Sequence, residues 1–98
     1  MVVVSLHGEL DLASAPQFES ELDSPEVASC AKLVLDLDDL QFIDSTGLRT
    51  IFSADARLQD RGQQFAVTRG SEQVQRLLAI TRVGEHLRVV DSPQEMLA

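Results

Sequence analysis

The chain is poor in cysteine, in basic residues and in long apolar runs. Its single cysteine, Cys30, excludes an internal disulfide, which fits a reducing cytoplasm. The apolar start MVVVSL is too short for a signal-peptide core or a membrane span. Nucleic-acid binding needs clustered lysine and arginine, and the net charge of −8 disfavours it. We therefore expect a cytoplasmic protein that binds neither nucleic acid nor membranes.

Signatures of catalysis and of metal binding are also lacking. No phosphate-binding loop, dinucleotide fingerprint or G-x-S-x-G stretch occurs in the chain. His7 and His86 lie far apart in sequence and Cys30 stands alone, which disfavours a metal site and a histidine-activated serine nucleophile. A receiver domain would need a lysine near the end of its last parallel strand, and residues 87–91 contain none. The sequence predicts a protein that is not an enzyme and has no cofactor or metal.

Strand and helix patterns alternate along the chain. Four apolar segments predict strands at Val2–Leu6, Leu33–Leu37, Phe65–Val67 and Leu87–Val90. Helices are predicted after Ser14 and on through Val27 to Ala31, from Ser45 to Gly62, from Ser71, and from Asp91-Ser92-Pro93. This order, with short connections, predicts one α/β domain over residues 1–98 with a mainly parallel sheet of about four strands and about four helices. If the first strand lies at an edge of the sheet, it could recruit a second chain, so we expect a monomer or a weak homodimer.

Acidic residues are concentrated in the first part of the chain. Residues 1–44 hold ten carboxylates and one basic residue, Lys32, whereas residues 45–98 hold six carboxylates and seven arginines. One interpretation is ordinary solvation of the surface. The other is an acidic face that steers a basic partner towards the protein.

A strand pattern runs directly into a helix pattern at LVLDLDDLQFIDSTGL, residues 33–48. This junction puts Ser45 at or next to the first turn of a helix, where backbone N–H groups lack intrahelical partners and attract anions. A hydroxyl there can cap the helix, or it can carry a phosphate. The local pattern alone leaves both roles open.

Three segments occur in order along the chain: G-E-L-D at residues 8–11, L-D-L-x-x-L-x-F-I-D-S-T-G-L at residues 35–48, and V-x-R-L-L-x-I-T-x-V at residues 74–83. Together they closely resemble the STAS domain and, within it, the anti-sigma factor antagonists of bacteria. Compared with that family, the chain leaves no residues before Val2 for a first hairpin strand, either because it is trimmed or because this member starts late.

The resemblance implies a partner-switching role in transcription regulation. In that family, the antagonist binds an anti-sigma factor that is also a serine kinase with a histidine-kinase-like ATPase fold, and binding releases the sigma factor. The kinase phosphorylates the first hydroxyl of the D-S-T-G motif, here Ser45, and a PP2C-type phosphatase removes the phosphate. By correspondence, the expected partner-binding residues are Asp44, Ser45, Thr46, Gly47, Leu48, Glu9, Asp11 and Ser14.

The resemblance leaves two alternatives open. A STAS subunit of an ABC-type lipid-transport complex would use Ser45 or Thr46 to hold an ATPase partner instead of accepting phosphate. A nucleotide- or ligand-binding STAS domain would form a pocket at the same edge of the sheet.

Overall fold

The structure is a computed structural model that describes residues 1–80 and 87–97. The elements, in chain order, are β1 (Val2–Ser5), β2 (Gly8–Leu10), α1 (Ala15–Leu22), α2 (Pro25–Ala28), β3 (Lys32–Asp36), β4 (Leu40–Ile43), α3 (Ser45–Asp60), β5 (Gln64–Thr68), α4 (Glu72–Ile80), β6 (Val89–Val90) and a 3₁₀ helix (Pro93–Leu97). None of the helices in these ranges is long and apolar enough to cross a bilayer.

The main sheet has four parallel strands in the order β1-β3-β5-β6, which confirms the predicted α/β fold and parallel sheet. Strand β3 lies inside the sheet, and its residues Leu33, Val34 and Leu35 are fully buried on both faces. One face packs against α1 and α3, whereas Met96 of the 3₁₀ helix covers Val34 on the other. Side chains alternate along β1, since Val2 and Val4 pack against the core and Val3 is exposed. Strand β1 lies at the edge, and dimerisation through it stays a prediction.

A second, two-stranded sheet pairs β2 with β4 in parallel beyond the carboxyl ends of β1 and β3. The sequence predicts no strand over residues 8–11, and the structure corrects this. Gly8 adopts a positive φ of 73°, and the chain then continues as a short strand that buries Leu10 against Ile43. The second sheet extends both β2 and β4 towards Ser45.

The first helix is shorter than predicted. It ends at Leu22, and a separate helix, α2, begins at Pro25. The break lies at Ser24, which has extended backbone angles (φ −62°, ψ 149°) because the residue before a proline avoids the helical region. The Ser24 side chain then caps α2 by accepting a hydrogen bond from the Val27 N–H.

The later elements follow the predicted pattern closely. Helix α3 buries Leu48, Ile51, Ala54 and Leu58, and Gly62 follows its end with a φ of 76°. Helix α4 buries Val74 and Leu78, and the last strand is limited to Val89–Val90. The predicted terminal helix is a 3₁₀ helix, and His86 lies outside the described residues.

Candidate functional site

Asp44 is the N-cap of α3. Its backbone is extended (φ −102°, ψ −176°), and its carboxylate Oδ1 accepts a hydrogen bond of 2.7 Å from the Gly47 N–H. Its carbonyl accepts a second bond, of 2.9 Å, from the Leu48 N–H. The capping role that a side-chain oxygen plays at a helix start is therefore filled by Asp44.

Ser45 is the first residue of α3 and is exposed to solvent. Its hydroxyl makes no hydrogen bond to any residue in 1–80 or 87–97, and the N–H groups of Ser45 and Thr46 have no partner there either. Unpaired N–H groups in a first helical turn favour a negative group nearby. Of the two roles that the sequence leaves open for Ser45, the cap is thus taken by its neighbour, and the Ser45 hydroxyl is exposed and has no partner among the described residues.

Gly47 and Leu48 are buried, although the sequence predicts them as part of a docking surface. A Cβ atom on Gly47 would lie 2.9 Å from the carbonyl carbon of Leu10 and closer still to its oxygen, so only glycine fits there. Leu48 is 8% exposed and belongs to the core. Both residues pack against the core and therefore have no exposed side chain that could contact a partner. They support Ser45 from the core side.

The loop after β2 is held together by Asp11 and Ser14. The Asp11 carboxylate accepts hydrogen bonds of 3.0 Å from the N–H groups of Ala13 and Ser14. The Ser14 hydroxyl donates to the Glu9 carbonyl at 2.9 Å and accepts from the Asp11 N–H at 2.9 Å. Chiefly because the Ser14 N–H donates to it, the Asp11 carboxyl has a pKa below its ordinary value of 3.8.

Ser14 does not cap α1 with its side chain, although a serine directly before a predicted helix is typical of an N-cap. It stands directly before Ala15, but its backbone is helical (φ −95°, ψ −15°) and its side chain makes no capping bond. Its hydroxyl is used by the loop instead.

The structure brings the two predicted segments together at the carboxyl ends of β2 and β4. The Leu10 carbonyl accepts a hydrogen bond of 3.2 Å from the Asp44 N–H, which joins the G-E-L-D segment to the start of α3. Glu9 and Ser45 are exposed, and Asp11, Asp44 and Thr46 are half-buried. Thr68, at the end of β5, is fully buried, and its hydroxyl accepts from the Leu37 N–H at 2.8 Å.

Two exposed apolar side chains beside the site were missed at the sequence level. Leu12, in the loop after β2, is 74% exposed, and Phe42, in β4, is 50% exposed. The signal for Phe42 is that L-Q-F-I has apolar residues at 40, 42 and 43, which cannot all lie on one face of a regular strand. Leu12 could have been noticed as an isolated apolar residue between a turn-forming aspartate and an alanine.

Comparison with known proteins identifies the family. The family model of the STAS domain matches residues 1–96. The chain belongs to the STAS domain family. An anti-sigma F factor antagonist of Paenibacillus polymyxa is 29% identical over 93 residues, which cover 94% of this chain and 80% of that protein.

Solved structures agree with this assignment. An anti-sigma factor antagonist from Mycobacterium paratuberculosis superposes with a TM-score of 0.83 at 26% identity, covering 98% of this chain and 82% of that one. The STAS domain of a SulP transporter from Vibrio cholerae gives a TM-score of 0.65 at 25% identity, covering 91% and 72% of the two chains. The STAS fold of this chain therefore occurs both in regulators and in transporters.

Proposed function

We propose that this STAS protein is an anti-sigma factor antagonist that phosphorylation of Ser45 switches off. It acts as a single cytoplasmic domain, binds an anti-sigma factor that is also a serine kinase with a histidine-kinase-like ATPase fold, and so releases a sigma factor. A PP2C-type phosphatase reverses the modification. The observation that carries the proposal is that the exposed Ser45 hydroxyl has no partner among the described residues while Asp44 caps the helix.

The proposed docking surface consists of Glu9, Asp11, Ser14, Asp44, Ser45 and Thr46, with Gly47 and Leu48 supporting it from below. Three of these residues are carboxylates, and none is basic. Complementary charge raises the rate of encounter between proteins and disfavours wrong partners. The surface therefore favours a kinase with a basic docking face.

Phosphorylation would break binding without unfolding the antagonist. A phosphate adds a charge of about −1.5 to −2. At the N-terminus of a helix, the helix dipole favours an anion by about 0.3–1 kcal/mol, so the fold tolerates the phosphate. In the complex, the same group would lie next to the Asp44 carboxylate and lose its hydration against the partner. A hundredfold loss of affinity requires only about 2.8 kcal/mol.

Incubation with candidate kinases and MgATP, followed by mass spectrometry, tests the assignment of Ser45. Phosphate should appear on the parent protein and on Thr46→Ala, the matched control, but not on Ser45→Ala. In calorimetric titrations with the kinase, Ser45→Ala should bind like the unmodified parent, and Ser45→Asp should bind more weakly. The assignment is wrong if Ser45→Ala is still modified, or if Ser45→Asp and the phosphorylated parent bind as tightly as the unmodified protein.

A second candidate function is a STAS subunit of a transport assembly, such as an ABC-type lipid-transport complex with an ATPase partner. The similarity to the STAS domain of a SulP transporter supports it. In this role, Ser45 or Thr46 would help hold the ATPase partner and would accept no phosphate. A stable complex with a transporter ATPase, together with no modification of Ser45 by any candidate kinase, would favour this second function.

A further inference from the structure

An irregularity in β4 turns Phe42 towards solvent. Gly8 pairs with Leu40 and Glu9 pairs with Phe42, so Gln41 is an extra residue opposite the β2 strand. Such a β-bulge re-aims the side chains that follow it and is common beside functional sites. Without the bulge, strict alternation would direct Phe42 inward with Leu40. With it, Leu40 and Ile43 are buried, and Phe42 is 50% exposed.

A groove runs between β4 and α4 and ends at Phe42. It consists of two adjoining cavities of about 380 and 330 Å³ that share Gln41 and Gln73. The first is lined at its far end by Asp38, Asp39 and Glu72. The second is lined by Phe42, Ile43 and Leu77, so the groove is acidic at one end and apolar at the other.

The lining indicates the chemistry of the occupant. Among the residues that the structure describes, the lining includes three carboxylates and neither lysine nor arginine. A second copy of this chain carries a net charge of −8 and would be repelled, and so would an anionic lipid surface. An extended segment that combines an apolar side chain with arginine or lysine would complement both ends of the groove.

We propose that this groove receives a basic segment of the partner kinase whose apolar side chain packs on Phe42. The inference rests on the proposed function. Only Ile43 and Asp44 separate Phe42 from Ser45, so a segment held in the groove would hold the kinase beside its target hydroxyl. Because Phe42 is not the modified residue, we expect Phe42→Ala to weaken binding both with and without phosphate on Ser45.

The groove is tested first with a probe that does not depend on the kinase. A synthetic pentapeptide that alternates arginine and leucine is titrated into the ¹⁵N-labelled full chain, and the same peptide with glutamate in place of arginine is the control. Saturable shifts are expected at Gln41, Phe42 and Gln73 with the arginine peptide only. Equal binding of both peptides, shifts confined to other residues, or no saturation at millimolar peptide would overturn the proposal.

Three variants locate the binding energy. Phe42→Ala and the double variant Asp39→Asn/Glu72→Gln should each weaken the arginine peptide at least tenfold. The double variant changes only exposed side chains and tests the groove even if Phe42→Ala alters folding. Leu97→Ala is the matched control, because Leu97 is 63% exposed and lies away from the groove. It follows Met96, whose carbonyl accepts a hydrogen bond from the Lys32 ammonium at the start of β3, whereas the groove lies beyond the end of that strand. Unchanged affinity in both test variants, or an equal loss in the control, would overturn the proposal.

The kinase that modifies Ser45 separates this inference from the proposed function. Phe42→Ala should weaken its binding at least tenfold for both the phosphorylated and the unmodified antagonist. If Ser45 is modified but Phe42→Ala binds the kinase like the parent, the groove proposal fails and the proposed function stands. If the peptide occupies the groove but no kinase modifies Ser45, the groove binds basic segments and the proposed function fails.

Discussion

The carbonyl group of Leu10 lies against the backbone of Gly47, where any side chain would collide with it. The same carbonyl accepts a hydrogen bond of 3.2 Å from the Asp44 N–H. The end of β2 is thereby joined to the first turn of α3 at two places. Glu9 and Asp11 therefore keep a set position relative to Ser45, and this relationship depends on the absence of a single methyl group.

Gly47→Ala should destabilise the protein by about 1–3 kcal/mol, because the added methyl group must displace the backbone of Leu10. Urea unfolding followed by circular dichroism measures the change. Ser53→Ala, on the exposed side of the same helix, is the control and should stay within about 0.5 kcal/mol of the parent. Equal stability of the two variants would show that the contact with Leu10 is not tight.

Asp44→Ala should cost about 0.5–2 kcal/mol, since the Gly47 N–H loses its acceptor at the start of α3. Asp44→Asn keeps a side-chain oxygen at the same place and should retain most of that stability. Thermal and urea unfolding of the two variants compare the cap with and without charge. An alanine variant as stable as the parent would remove Asp44 from the capping role.

Ser45→Ala should leave the free energy of unfolding within about 0.5 kcal/mol of the parent, because its hydroxyl has no partner among residues 1–80 and 87–97. Ser14→Ala removes the acceptor of the half-buried Asp11 N–H and should cost about 1–3 kcal/mol. The two serines form a matched pair in the same assay. A larger loss for Ser45 than for Ser14 would contradict the assignment of Ser45 to partner chemistry.

The contribution of Asp11 should depend on pH in a defined direction. Its pKa in the folded state lies below 3.8, so its charged form is favoured by folding. The stabilisation is complete above the unfolded-state pKa and is lost as the pH falls through the lower folded-state pKa. Asp11→Asn should therefore be less stable than the parent near neutral pH, and the difference should shrink below about pH 4. Urea unfolding between pH 3 and 7 measures the difference in stability between the two proteins. A difference that grows towards low pH would contradict the prediction.

Most of the fold could be predicted from local patterns. The apolar run at residues 33–37 predicts a strand buried on both faces, and Leu33, Val34 and Leu35 are fully buried there. The spacing from Leu48 to Leu58 predicts the buried side of α3. The pair β2–β4 could not be predicted in this way, because each strand is only three or four residues long and pairs with a segment some thirty residues away.

The candidate site, too, could be predicted from the sequence only in part. The residues around Ser45 were identified from a contiguous motif, whereas the exposure of Phe42 depends on a bulge that exists only when β2 and β4 pair. Likewise, the sequence shows a serine before a helix at both Ser14 and Ser45. Only the surrounding hydrogen bonds distinguish the serine that holds a loop from the serine that is free.

The sequence by itself determined the order of strands and helices, the parallel sheet and the junction that carries Ser45, because periodicity and turn residues act over a few neighbouring positions. The tertiary structure alone decided that Asp44 caps the helix, that Gly47 is pressed against Leu10, and that Phe42 faces a groove. These features arise where segments distant in the chain meet, and the spacing of residues within either segment does not predict the contacts between them.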